Sequence, residues 1–280
     1  MRKFIFFILL FILIPEISWA QNKQIDRNAE LQKLNWQNGP IKGFIGSKAT
    51  IDVPKGFVFL GEADTSRYIE LAGNPPMDNH YLIAPKNFSW WAVFSFKKIG
   101  YVKDDEKIDA DDLLKNLKEG DAESNIERKK LGLAELYTDG WQVPAFYNSD
   151  TKRLEWGVRL RSNGQLNVNY TTRILGRTGV MEATLIGDIE TLAATTKEFK
   201  ASLEKFKYSE GESYSEFKSG DKVAEYGLAA LVLGGAAAVA TKKGLWAVLA
   251  GFFAAFWKIL AGLAVAAGAG LSSIFKKKKE

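Results

Sequence analysis

RLEWGVRLRSNGQLNVNYTTRIL, residues 153–175, decides the fold class. Leu154, Trp156, Val158 and Leu160 fall on one side of its first half, with Glu155, Arg159 and Arg161 on the other. That period of two is the mark of a strand. Asn163-Gly164 supplies the residues that a tight two-residue turn accepts, and 165–175 alternates again. The stretch predicts a β-hairpin. A hairpin alone is marginal in water, so further elements must cover it.

Downstream, 179–186 predicts another strand, and Asp188 is placed to cap a helix over IETLAATTKEFKASLEKF (189–206). Leu192, Phe199, Leu203 and Phe206 are its expected core positions. Upstream, KATIDVPKGFVFL (48–60) and 81–103 predict sheet, with a turn at Pro54-Lys55-Gly56 and a buried strand at SWWAVFSF (89–96). The whole predicts an α+β domain, a largely antiparallel sheet packed by helices.

Between sheet segments lies an acidic run containing Asp104, Asp105, Glu106, Asp109, Asp111 and Asp112. A calcium loop needs a central glycine and a late bidentate glutamate, and no glycine falls within this run. A helix start explains it better: Asp109 as N-cap and Asp112 in the first turn, before Leu113 and Leu114.

Other chemistry finds little support. The chain has no cysteine and one histidine, His80, read as a surface or structural residue. Thiolate sites, multi-histidine metal sites and most serine triads are thereby excluded. No phosphate-binding or dinucleotide glycine pattern appears, and Gly176-Arg177-Thr178-Gly179 reads as a turn between strands rather than an anion site. Trp90, Trp91, Trp141, Phe146 and Tyr147 read as packing residues, with a ligand groove as the alternative. No catalytic residue, cofactor or metal ligand is assigned.

The two ends are more informative. MRKFIFFILLFILIPEISWA has a basic start, an apolar run from Phe4 to Ile14 and a small-x-small ending at Ser18-Trp19-Ala20. It reads as a cleaved signal peptide over 1–20, the alternative being an uncleaved anchor. From Leu245 to Phe275 the only charge is Lys258, and four lysines follow at 276–279. That length predicts one membrane crossing within 245–275, with a hairpin or two crossings as the alternative. The expected order is an exported domain over 21–226, an Ala/Gly-rich membrane region over 227–275 and a cytoplasmic basic tail over 276–280. The fold is thus expected to be followed by a C-terminal transmembrane helical anchor, a single pass with the domain exported and the tail inside. Gly262, Ala266 and Gly270, four apart, are candidates for helix–helix packing. Residues 21–226 carry 29 Lys and Arg against 31 Asp and Glu, so the basic surplus sits at the ends and no nucleic-acid partner is expected.

GNPP (73–76), GYVKDDEKIDADDLL (100–114), Asn125-x-x-Arg128, DGWQVPAFY (139–147), NYTTRILGRTGVM (169–181) and GDKVAEYGLAALVLGGAAAVATKKGLWAVL (220–249) follow one another in order. Taken together they resemble DUF2167, a family of bacterial membrane-anchored proteins of unknown function. The resemblance implies a single-pass protein of the bacterial inner membrane, with an exported domain in the periplasm on a C-terminal anchor, and supplies no reaction. It draws attention to Asp221, Lys222, Glu225 and Tyr226, candidates for a juxtamembrane interaction. The leading expectation is a cell-envelope interaction or accessory module without catalytic activity. Its partners would be the lipid bilayer and another envelope or membrane protein, or a second copy through the anchor. A periplasmic small-molecule or lipid-binding domain and an unrecognised hydrolase are the alternatives.

Overall fold

The computed structural model describes residues 27–233, apart from 73–75, 131, 133 and 188. The proposed cap Asp188, the signal segment, most of the apolar C-terminal region and Gly262, Ala266 and Gly270 lie outside the described residues. In chain order the elements are α1 (Arg27–Lys33), β1 (Gln37–Asn38), β2 (Ile41–Ile45), β3 (Ala49–Val53), β4 (Phe57–Leu60) and α2 (Glu62–Leu71). There follow β5 (His80–Pro85), β6 (Trp90–Lys97), α3 (Ala110–Lys130), β7 (Tyr137–Asn148), β8 (Arg153–Ser162) and β9 (Gln165–Leu175). The chain then forms β10 (Val180–Gly187), α4 (Leu192–Leu203), β11 (Phe206–Tyr208) and α5 (Leu228–Val232).

Eight strands form one antiparallel sheet in the order β1-β4-β5-β6-β10-β9-β8-β7, and β11-β3-β2 form a second. The fold is therefore α+β with antiparallel sheets packed by helices, as the alternation predicts. The β8–β9 hairpin closes at Ser162 opposite Gln165, with Asn163 and Gly164 both at positive φ. Such a turn matches the right-handed twist of the strands it joins.

One face of the large sheet sends Trp90, Ala92 and Phe94 from β6 and Met181, Ala183 and Leu185 from β10 into a first core. The second sheet covers that core with Ile45, Ile51 and Val53, and α4 covers it with Leu192, Phe199 and Leu203. Trp90 also donates its indole N–H to Glu198 of α4 at 2.8 Å. The opposite face carries a second core around Leu154, Trp156, Leu175 and Val180, and smaller clusters under α2.

α3 begins where its acids predict, with the Asp109 carboxylate accepting from the amides of Asp111 and Asp112 at 3.1 and 3.0 Å. It packs against β7, the edge strand, and its side chains take up the backbone leading into that strand. The Asn125 carboxamide both donates to and accepts from the Leu136 backbone, at 2.8 and 2.7 Å. Asp121 accepts from the Thr138 amide at 2.7 Å, and Arg128 Nε donates to the Ala134 carbonyl at 2.6 Å. The Asn125-x-x-Arg128 motif is thus a means of fixing an edge that would otherwise leave polar backbone groups unpaired.

Two sequence boundaries shift. Phe206 is not a helix residue: α4 stops at Leu203, and Phe206 opens β11 opposite Ile51, still packed against the first core. The packed domain also does not close at Tyr226. It continues through α5, whose Leu228, Leu231 and Val232 are buried in the second core. An apolar run five residues long is satisfied equally by a protein core or by lipid, so composition alone could not place it. Among the described residues no helix is long and apolar enough to cross a membrane.

Candidate functional site

Four of the stretches that carry the family resemblance, in 100–114, 139–147, 169–181 and 220–233, are distant in sequence but meet at one end of the large sheet. The meeting point is the segment 220–233, where the chain leaves the sheet and enters α5. After β6, Gly100-Tyr101 runs beside it. Tyr101 N–H donates to the Lys222 carbonyl and Ala224 N–H donates to the Tyr101 carbonyl, both at 2.8 Å, making a short parallel bridge. Gly100 has φ of 100°, and a Cβ there would lie 2.7 Å from the Lys222 carbonyl oxygen. The close approach requires glycine on both counts.

The β9–β10 turn makes the second attachment. Gly176 N–H closes the turn on the Gly179 carbonyl at 2.9 Å, which presents Arg177 outward. Its guanidinium grips Asp221 with two parallel bonds, Nε to Oδ2 at 2.7 Å and Nη2 to Oδ1 at 2.8 Å. This is the fork geometry that makes arginine–carboxylate pairs specific. Thr178 of the same turn and Lys48 both bond Glu212, so the loop before the segment is fastened as well.

A third attachment comes from the acidic run. Glu106 accepts from the Ala229 amide at 3.0 Å and so caps the first turn of α5. Asp104, two residues earlier, accepts from Tyr147 Oη at 2.9 Å and pairs with Lys152 at 2.7 Å. Beneath them Tyr101 stacks between Tyr214 and Phe217, with centroids 4.4 and 4.1 Å away. Tyr214 Oη donates to the Val102 carbonyl at 3.0 Å, and burial pushes its hydroxyl pKa up.

Of the residues singled out from sequence, Asp221 is thus committed internally. Lys222 and Glu225 point to solvent, and Tyr226 is half-buried against the second core. The aromatic residues do not form one groove: Trp90 lies in the first core, while Trp141 and Tyr147 flank the second. No group of three or more His, Asp or Glu is placed to hold a metal among the described residues. Sequence reasoning missed Glu106 and Arg177 as attachment points, because their partners lie 123 and 44 residues away. The arrangement is chemically quiet. Its acids are matched by guanidinium, ammonium, hydroxyl or amide donors, and its effect is to hold a chain segment.

Electrostatics gives a direct check. The Arg177 guanidinium, helped by the Lys218 amide, holds the Asp221 carboxyl down to about 2 from an ordinary 3.8. A depressed carboxylate contributes stability that is complete above the unfolded value and is lost as pH falls from about 3.8 to about 2. Carbon-detected NMR titration should therefore find the Asp221 midpoint near 2, and R177Q should raise it toward the ordinary carboxylate range, the Lys218 amide still holding it below.

The family model described as "Protein of unknown function (DUF2167)" matches residues 35–268. The chain belongs to DUF2167. The matched range of this DUF2167 chain takes in both sheets, the attachment site and much of the apolar segment beyond it. No curated protein matches it. Among solved structures, the cyanobacterial PsbP of Synechocystis sp. PCC 6803 is 8% identical, with a TM-score of 0.36 over 57% of this chain and 86% of that one. LpqN, involved in cell envelope biogenesis of Mycobacterium tuberculosis, is 15% identical, with a TM-score of 0.30 over 64% of this chain and 94% of that one. Likenesses at this level decide nothing about activity.

Proposed function

We propose that this DUF2167 protein is a non-catalytic cell-envelope accessory module whose folded domain forms a rigid base for a C-terminal membrane anchor. The observation that carries the reading is the burial of Leu228, Leu231 and Val232, the first turn of the apolar C-terminal stretch, inside the domain's own second core. A flexible linker would let domain and anchor turn independently. In this reading the strap 220–227 and α5, bonded to the domain, couple the two. Lys222 and Glu225, exposed on that strap, are the side chains offered to an envelope or membrane partner, while Asp221 and Tyr226 fix the strap in place.

Single-cysteine labelling tests the topology, because the native chain has no cysteine. Cysteines at Ser215 and after Glu280 are probed in cells with a permeabilised outer membrane, using an impermeant thiol reagent. Labelling at 215 with protection at the C-terminus is the expected result. Equal labelling at both positions overturns the single-crossing arrangement, and recovery of the protein in the soluble fraction overturns the anchor. For the interaction surface, Lys222→Glu combined with Glu225→Lys should abolish crosslinking to the partner without moving the unfolding midpoint. Unchanged crosslinking removes the strap from the interface.

A further inference from the structure

The face of the large sheet opposite the first core is apolar under α2 and under α5 but not between them. Along β9, Asn169, Thr171 and Arg173 alternate with Val168, Tyr170 and Thr172, and the former set lies on this second face. The row through Arg173 is polar across four strands. His80 of β5 stands opposite Ser95 of β6, Ser95 opposite Glu182 of β10, and Glu182 opposite Arg173. At about 4.8 Å between strands, the row runs roughly 14 Å. Lys97, two residues beyond Ser95 on β6, adds a cation on the same side.

A half-buried charge is tolerated only when it is paired or hydrogen-bonded. This row has more nitrogen groups than its single carboxylate can satisfy. Glu182 is paired to Arg173 Nη2 at 2.5 Å. Arg173 Nε is buried and has no partner among the described residues, and the guanidinium lies 5.7 Å from the Trp156 ring centroid. Lys97 makes no ion pair with any described residue, although its charge acts on both Glu182 and His80. His80 Nδ1 lies 2.7 Å from the Asp78 carbonyl oxygen, which places a proton on Nδ1 and leaves Nε2 without a partner among the described residues. In the neutral ring that Nε2 accepts a hydrogen bond, and in the protonated ring it donates one.

Two cationic donors and an imidazole nitrogen that can accept match one chemical group. A phosphate monoanion or monoester carries charged oxygens for arginine and lysine, and a P–OH for the imidazole. A carboxylate has only the oxygens. The row is partly open: the Arg173 and Glu182 side chains keep 13% and 17% of their surface exposed and Lys97 is half-buried, while Arg173 Nε itself is covered.

We infer that the His80–Lys97–Arg173 row is a binding site for a phosphoryl group, with Glu182 as the internal carboxylate that holds Arg173 until the ligand arrives. The source is either free phosphate or the head of a phosphate-bearing amphiphile. Binding does not depend on the anchor or on the strap's partner, so it stands or falls apart from the function proposed above.

Isothermal titration of the full-length protein at constant ionic strength tests the site, with inorganic phosphate and a water-soluble short-chain phosphatidic acid as separate probes. Saturable binding of inorganic phosphate supports the site and identifies the free anion. Saturation by the phosphatidic acid alone supports it and identifies the headgroup. Binding of neither probe overturns it. Lys97→Gln should abolish binding while the protein stays folded, since this lysine has no ion pair to lose. Glu182→Gln removes the competing charge and should bind about fivefold to tenfold tighter. A purely structural Arg173–Glu182 pair predicts lower stability in E182Q with no gain in binding, and that result would overturn the proposal.

Discussion

Leu231→Asp should remove most of the folded population of the domain, not merely loosen its C-terminal turn. Leu231 is fully buried in the second core beside Leu154, Trp156 and Leu175, all from the large sheet. Deleting a buried leucine side chain costs about 2–5 kcal/mol, and leaving a carboxylate unpaired in its place adds several more. Native domains are stable by about 5–15 kcal/mol, so the loss is comparable with the whole. Chemical denaturation followed by near-ultraviolet dichroism measures it, since Trp156 reports on this core. Glu225→Ala, exposed six residues earlier, serves as the control and should stay within about 0.5 kcal/mol of the parent. An unchanged midpoint in L231D would mean that α5 is not part of the cooperative unit.

The second large effect is expected from a single methyl group. In Gly100→Ala the new Cβ falls 2.7 Å from the Lys222 carbonyl oxygen and 3.1 Å from the Ala224 nitrogen, at a φ of 100°. Both obstacles are backbone, so neither can swing aside. Strain of this kind costs about 1–3 kcal/mol, and relieving it means lifting the strap and losing its two backbone bonds. A total of about 3 kcal/mol is expected by denaturation, with loss of hydrogen-exchange protection at the Ala224 amide. Gly227→Ala makes the informative comparison. There the added Cβ meets the end of the exposed Glu106 side chain, which can rotate away at the expense of one helix cap. G227A should therefore cost about 1 kcal/mol. Equal losses in the two variants would show that the strap is not held by its backbone.

Local patterns in this chain were legible and distant pairings were not. The β8–β9 hairpin could be read from alternation and Asn163-Gly164, and the start of α3 from Asp109, because each depends on neighbours a few residues apart. The edge strand β7 was hidden. Gly140 and Pro144 interrupt it, and its register shifts three times against β8, which erases the period of two. α5 could not be placed from its residues, since leucine and valine have the same pattern facing lipid or facing a sheet. At the attachment site, Asp221 was singled out for its place in the chain, while its partner Arg177 was dismissed as part of a turn. The polar row across β5, β6, β10 and β9 was beyond reach altogether. Its members come together only through a strand order that sequence alternation does not encode.

The buried base of the C-terminal segment also bears on how the molecule carries mechanical load. A pull applied beyond residue 233 reaches α5 first, then the Glu106 cap, then the Tyr101–Val223 bridge and the Arg177–Asp221 fork. None of the long strand pairs of the large sheet lies ahead of these in the path. The domain therefore has a sacrificial sequence of fasteners: a helix that peels, a cap that slips and a clamp that yields before the sheet is strained. Tension applied beyond residue 233 would be registered at this end of the molecule while the rest keeps its shape.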